Sequence, residues 1–334
     1  MNVLNWSQIK PVRLTLCLLV SAVCLYLAVR GMDFEQAVHE LKQSSLMPIV
    51  GAVFFLFLSL WIRAWRWAYL LLPIKDISQL PLFRSTLIGF MGNNLLPFRA
   101  GEVMRAVSIG QTQNISKVAA VGSIILERAF DGVVLSLTPF LLLTVLDLAP
   151  WIMRVNLTLL LIYVTALLAI VLTPIGEWAD HWWRRGTGVL PGAIADRVAS
   201  IAEQFFQGTK GIKGLRSLLP ISLLSFLCWF CQGLFFFLLF EALDLNLSLS
   251  AALILQVVIA VGVMLPAGPG FVGNFEYFTV LGLALFGITR ETAFAYALLA
   301  HICQFIPVTA VGLFFAFNRG FQPQGIYRDA STRL

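Results

Sequence analysis

The chain is a succession of apolar runs separated by short polar turns. The runs fall at 13–30, 46–62, 84–97, 116–147, 151–174, 218–240, 250–266, 271–288 and 292–317. Several reach the roughly 18–20 residues that a helix needs to cross the hydrocarbon core of a bilayer. Segments of that length, repeated through the chain, exclude a soluble core. A segment in lipid must satisfy its backbone hydrogen bonds internally, so the fold class is all-α and polytopic. Charge agrees, since 12% of residues are charged, about half the share of a soluble domain. Mean hydropathy is +0.87. The net charge of +6 is what Lys- and Arg-rich cytoplasmic loops produce, and no nucleic-acid partner is implied.

The first run follows Lys10 and Arg13 and ends Ala28-Val29-Arg30, without a small-x-small cleavage site. It reads as an uncleaved first helix. Segment 33–44, DFEQAVHELKQS, is short and amphipathic and is expected to lie at the interface. The one long polar stretch, 176–217, reads as a cytoplasmic loop. It contains the helical pattern IADRVASIAEQFF and a GTKGIKG linker without Walker spacing. Cys17, Cys24, Cys228, Cys231 and Cys303 all lie in apolar segments. They read as packed free thiols, with no disulfide framework, metal site or cofactor implied.

Positive charges orient the chain. Suppose 84–106 and 250–288 enter the membrane and return on the same side. About six helices then cross fully and both termini are cytoplasmic. Four of the 23 Lys and Arg residues (Arg30, Lys42, Arg154, Arg290) lie outside, Arg128 lies within a span, and the remaining 18 are cytoplasmic. The chain is thus read as one integral membrane domain, 1–334. Its first half, 1–150, holds one re-entrant segment and its second, 151–320, holds the loop and the other.

The window GNNLLPFRAGEVMRA, 92–106, concentrates polar groups between apolar neighbours. Pro97 and Gly101 interrupt a helix, and Asn93 and Asn94 can bond the freed backbone. Arg99, Glu102 and Arg105 need a further reason, because a charge at the bilayer centre costs ~2.5–3.5 kcal/mol or more. Glu102 and Arg105 share a helix face and can pair. A counterpart, MLPAGPGFVGNFE, stands at 264–276, with the two prolines 169 residues apart. Breaks at matching places in two halves of opposite orientation predict an inverted repeat and a transport site. The Gly268–Gly273 turn, ahead of a helix expected near Phe271, would offer backbone amides to an anion, or simply supply positive φ. Within 116–147, Glu127 and Asp131 repel at i, i+4 unless a cation lies between them. Arg99 and Arg105 are the candidates, and Arg128 shares a face with Asp131. In the last run His301 and Gln304 share a face; the histidine reads as an interhelical donor or a proton carrier.

At three of these stretches the sequence resembles a known group. They are Asn94–Arg105 (NLLPFRAGEVMR), Glu127–Asp131 (ERAFD) and Pro266–Glu276 (PAGPGFVGNFE). The group is the flippase-like integral-membrane family that includes the transmembrane region of lysylphosphatidylglycerol synthases. The resemblance runs from about residue 13 to 318. It implies a multi-pass protein of a bacterial or archaeal cytoplasmic membrane that moves, or helps to move, polar-headed lipids between leaflets. Two-domain relatives carry a soluble domain that makes the lipid. Here the chain ends 17 residues after the last run, so that chemistry is expected to be absent and the chain is not expected to be an enzyme.

Together these readings name a lipid substrate-binding set: Asn93, Asn94, Arg99, Glu102, Arg105, Glu127, Arg128, Asp131, Gly270, Gly273, Asn274, Glu276, His301 and Gln304. Two other functions fit the same chain. One is an accessory subunit that positions a lipid-modifying or glycan-assembly enzyme through the basic loop. The other is a membrane-embedded lipid transferase using the carboxylates as bases.

Overall fold

A computed structural model describes residues 11–143, 150–172, 200–201, 203–205, 207–209 and 215–318. Among these residues the regular structure is entirely helical. The helices are α1 (Pro11–Val29), α2 (Phe34–Lys42), α3 (Leu46–Leu71), α4 (Gln79–Leu95), α5 (Ala100–Gln113), α6 (Lys117–Leu141), α7 (Pro150–Leu172), α8 (Leu215–Ala242), α9 (Leu249–Met264), α10 (Asn274–Ala284) and α11 (Arg290–Asn318). A single 3₁₀ turn, Pro269–Phe271, precedes α10. Most of the 176–217 loop and both chain ends lie outside the described residues. Within that loop, the described residues of 200–209 are helical, as the IADRVASIAEQFF pattern predicts.

Helix starts follow local chemistry. Asp33 accepts hydrogen bonds from the amides of Glu35 and Gln36, and the hydroxyls of Ser116 and Ser248 accept from Ala119 and Ala251. Each satisfies an amide that has no partner within its own helix. Among the described residues four helices are long and apolar enough to cross a membrane: α3, α7, α8 and α11. The pair α1–α2, bent by 84°, makes a fifth if taken as one span. Helix α6 has 25 residues, about 37 Å and long enough. It falls outside the count because Glu127, Arg128 and Asp131 lie within it.

The helices form two compact units. The first takes in the chain up to Leu60, Leu87–Met104 and the chain from Phe230 onward. The second takes in Trp61–Thr86 and Arg105–Trp229.

The first unit holds both expected helix breaks. Pro97 ends α4, and Phe98 and Arg99 take φ of 61° and 52°, a region costly for residues with a side chain. The two arms then return backbone on backbone. A Cβ on Gly101 would stand 1.9 Å from the Gly89 carbonyl oxygen, so glycine alone fits the crossing. The second break runs from Leu265 to Gly273. Gly270, Phe271 and Gly273 have φ of 68°, 61° and 88°.

The second unit packs Trp67, Leu70, Leu71, Ile109, Ile124, Phe130 and Ile221 into one apolar core. Its polar exceptions form the site described next.

Candidate functional site

In the second unit six charged side chains meet. Arg63 reaches Asp131 Oδ2 at 2.8 Å and Glu127 Oε1 at 3.3 Å. Arg66 reaches Asp131 Oδ1 at 2.7 Å and Glu127 Oε1 at 3.3 Å. Arg105 donates to both oxygens of Glu127 at 3.0 Å, a bidentate pair. Arg128 reaches Glu127 at 2.5 Å and Asp131 at 3.3 Å. Ser225 accepts from Arg66 at 2.8 Å, and the Trp229 indole donates to Asp131 at 2.9 Å. Six charges taken singly at membrane depth would cost on the order of 15–20 kcal/mol, more than the ~5–15 kcal/mol that stabilises a whole domain. They persist because each is paired.

Four guanidiniums stand against two carboxylates, a formal excess of two positive charges. Aromatic faces moderate it, with Arg105 Cζ 3.9 Å from the Trp67 ring centre and Arg63 Cζ 5.2 Å from that of Trp229. Arg63, Arg66, Arg105, Glu127 and Asp131 are buried; the Arg128 side chain is 31% exposed and forms the cluster's open edge.

The sequence reading is corrected here in three respects. Arg105 pairs with Glu127 rather than Glu102. Among the described residues the cations that reach both Glu127 and Asp131 are Arg63, Arg66 and Arg128, while Arg105 reaches Glu127 and Arg99 donates to the Val263 carbonyl. Arg63 and Arg66, counted above as cytoplasmic flanking charges, are buried. Their i, i+3 spacing in Ile62-Arg63-Ala64-Trp65-Arg66-Trp67 was the available signal, since it puts both on one face of a helix that runs on to Leu71.

In the first unit the two breaks touch. Arg99, half-buried, donates to the Val263 carbonyl at 2.9 Å, and its Cζ lies 5.7 Å from the centre of the Phe271 ring. A Cβ on Gly270 would be 3.2 Å from the Asn94 carbonyl oxygen. Asn94 Nδ2 donates to Thr309 Oγ1 at 2.9 Å and to the Phe305 carbonyl at 3.4 Å, tying the first break to α11. Asn274 Nδ2 donates to the Gly262 carbonyl at 3.2 Å, which joins the ends of α9 and α10. The buried side-chain oxygens of Asn93 and Asn274 have no hydrogen-bond partner among the described residues.

Three amides of the Gly268–Gly273 turn are engaged within the protein. Gly268 N–H donates to Ser21 Oγ at 2.8 Å, Phe271 N–H to the Gly268 carbonyl at 3.2 Å, and Gly273 N–H to Glu276 Oε2 at 2.6 Å. Helix α10 begins at Asn274, three residues after Phe271. Glu276 caps that helix and also meets His301, whose Nδ1 stands 2.5 Å from Glu276 Oε1. His301 Nε2 reaches the Gly270 carbonyl at 2.9 Å. Gln304 accepts from Gln232 Nε2 at 3.3 Å. Glu102, half-buried, lies on the first turn of α5.

The five cysteines are free and buried, and among the described residues no group of three or more His, Cys, Asp or Glu side chains stands together as a metal site.

A "UPF0104 membrane protein" of Methanothermobacter thermautotrophicus is 22% identical over 318 residues, covering 88% of this chain and 91% of the relative. The lysylphosphatidylglycerol synthase TM region profile matches residues 14–312, which take in both helix breaks and the charged cluster. The chain is therefore a multi-pass membrane protein that belongs to the lysylphosphatidylglycerol synthase TM region family.

Proposed function

We propose that this protein carries a polar-headed, anionic lipid from one leaflet of the cytoplasmic membrane to the other. The observation that supports this most is the meeting of the two helix breaks, where Arg99 on one bonds the carbonyl of Val263 at the edge of the other. Interrupted helices in contact give a membrane protein polar backbone and side chains at depth without exposing them to lipid tails. A head group can replace such contacts one at a time while its acyl chains stay in the bilayer. The two unpartnered amide oxygens of Asn93 and Asn274 suit hydroxyl or ammonium groups of the head. The anionic preference rests on Arg99, the cation where the two breaks meet.

In this reading α3, α6, α7, α8, α11 and the α1–α2 pair cross the membrane. The α4–α5 and α9–α10 hairpins are re-entrant from opposite sides as an inverted repeat, and both termini are cytoplasmic. The protein itself does no covalent chemistry.

The test is leaflet exchange in liposomes. Purified protein is reconstituted with head-group-labelled anionic, zwitterionic and cationic lipids, and the outer label is quenched. Exchange fastest for the anionic class, and slowed about tenfold in a folded Arg99→Gln variant, is the expected result. Folded protein that exchanges none of the classes would sink the proposal.

A further inference from the structure

The contact between Glu276 and His301 has only one proton to share. The Gly270 carbonyl can only accept, so His301 Nε2, 2.9 Å away, carries a hydrogen. Its other nitrogen, Nδ1, faces Glu276 Oε1 at 2.5 Å. Two bare acceptors do not rest at that distance, so a proton lies between them. It belongs either to an imidazolium beside a carboxylate or to a carboxylic acid beside a neutral imidazole, and both arrangements are neutral overall.

Glu276 Oε2 meanwhile accepts the Gly273 amide at 2.6 Å. The pair therefore grips the 265–273 loop at two points, the Gly270 carbonyl and the Gly273 amide. Between them Gly270, Phe271 and Gly273 all hold positive φ, a strained path that persists because something fastens it.

The surroundings single out this proton. The imidazole lies between Phe275 and Phe305, with ring centroids 4.8 Å and 5.9 Å away, which limits both water and ring rotation. Helix α9 carries no ionisable side chain. Helix α1 meets the turn through Ser21, which accepts from Gly268. From the α4–α5 break the charged group beside the loop is Arg99, over the Phe271 ring. On α10 and α11 the ionisable side chains nearest in sequence are Tyr277, Tyr296 and Cys303; α1, packed against α10, carries Cys17, Cys24 and Tyr26, and α2, packed against α11, carries Glu35, His39, Glu40 and Lys42. Among the described residues the ion pair of Glu276 is with His301.

We infer that Glu276 and His301 form a one-proton binding site whose occupancy holds the 265–273 loop closed. Given the lipid-translocation reading above, on which this extension rests, the site couples the movement of the lipid to a proton. When the shared proton leaves, the pair passes from neutral to one negative charge. The bare Nδ1 then faces a carboxylate, the two repel, and His301 swings off with its hold on Gly270. Glu276 keeps the Gly273 amide and stands as an anion beside Arg99's break. Rebinding one proton restores the clamp, so one proton crosses per cycle if it enters and leaves by opposite faces.

The test uses the full chain in nanodiscs with His39→Gln and His181→Gln, so that His301 is the one imidazole. Side-chain ¹⁵N NMR follows its nitrogens from about pH 4 to about pH 10, which brackets the ordinary Glu and His ranges. A bimane label at Val272→Cys, a half-exposed position, reports the loop. The expected result is Nε2 protonated throughout, one step at Nδ1, and a loop signal with the same midpoint. Glu276→Gln keeps the capping acceptor but cannot give up a proton. It should change the Nδ1 step and abolish the loop response, and His301→Gln should abolish the loop response as well. A loop signal that ignores the Nδ1 step, or an unchanged step in Glu276→Gln, overturns the inference.

Leaflet exchange under an imposed pH gradient separates the two claims. Acceleration by the gradient in the wild type, lost in Glu276→Gln, supports coupling. Exchange blind to the gradient overturns the coupling and leaves translocation standing. Absence of exchange at every pH, with the titration and loop movement intact, overturns translocation and supports the proton site.

Discussion

Arg105 grips Glu127 with two hydrogen bonds of 3.0 Å, across a sequence separation of 22 residues, inside a core where Glu127 is wholly buried. The pair is one part of a cluster that carries more positive than negative charge, and that imbalance makes its mutational behaviour asymmetric.

Removing a carboxylate raises the uncompensated charge from two to three, while removing an arginine lowers it to one. Glu127→Gln and Asp131→Asn should therefore destabilise the protein more than Arg105→Gln or Arg128→Gln. The carboxylate losses are expected to cost about 3–5 kcal/mol, the range for breaking a buried ion pair. Arg128→Gln, at the exposed edge, should cost about 1 kcal/mol or less. Thermal unfolding in detergent, followed by thiol reactivity of the buried cysteines, orders the four. An order with the arginines more costly than the carboxylates would refute the charge account.

Backbone crossings make a second set of expectations. Gly101→Ala puts a methyl group 1.9 Å from the Gly89 carbonyl oxygen, and Gly273→Ala puts one 2.1 Å from that of Ser21 at a φ of 88°. Neither backbone can yield cheaply, and each variant should lose about 1–3 kcal/mol. Gly268→Ala, whose nearest neighbour is the Ser21 hydroxyl at 3.3 Å, should lose less than either. Size-exclusion profiles after graded heating read the difference.

Arg99 separates folding from transport. Its guanidinium holds the Val263 carbonyl, and a hydrogen bond to a charged group contributes roughly 1.5–3 kcal/mol. Arg99→Gln should slow anionic-lipid exchange about tenfold, and Arg99→Lys, which keeps the charge but loses the planar fork, should fall between it and the wild type. Equal rates for all three would remove Arg99 from the transport path.

Asn94 supports the first break from α11. Asn94→Leu removes the donor to Thr309 and Phe305 and should cost about 1–2 kcal/mol. Thr309→Val, which loses only the acceptor on the other side, should not add to it fully, because the two residues share one bond. A thermal-stability double-mutant cycle checks this.

What the sequence alone determined is local chemistry. Runs longer than a soluble core tolerates announced a helical membrane protein. Pro97 and Pro266, each followed by glycines, announced where helices stop, because proline lacks an amide and glycine alone accepts the left-handed region and the closest crossings. The order of polar motifs through the chain carried the family. What only the tertiary structure decided is who pairs with whom. Arg63 and Arg66 follow an apolar run and read as a basic flank; the carboxylates that claim them lie 61 to 68 residues away. Glu276 and His301 are 25 residues apart on different helices, and the carbonyl that fixes the histidine's hydrogen belongs to the loop that precedes both. Helical periodicity ranks the faces of one helix but is silent on which face of another it meets. In a membrane interior that choice is set by pairing charges and satisfying backbone, both of which act through space.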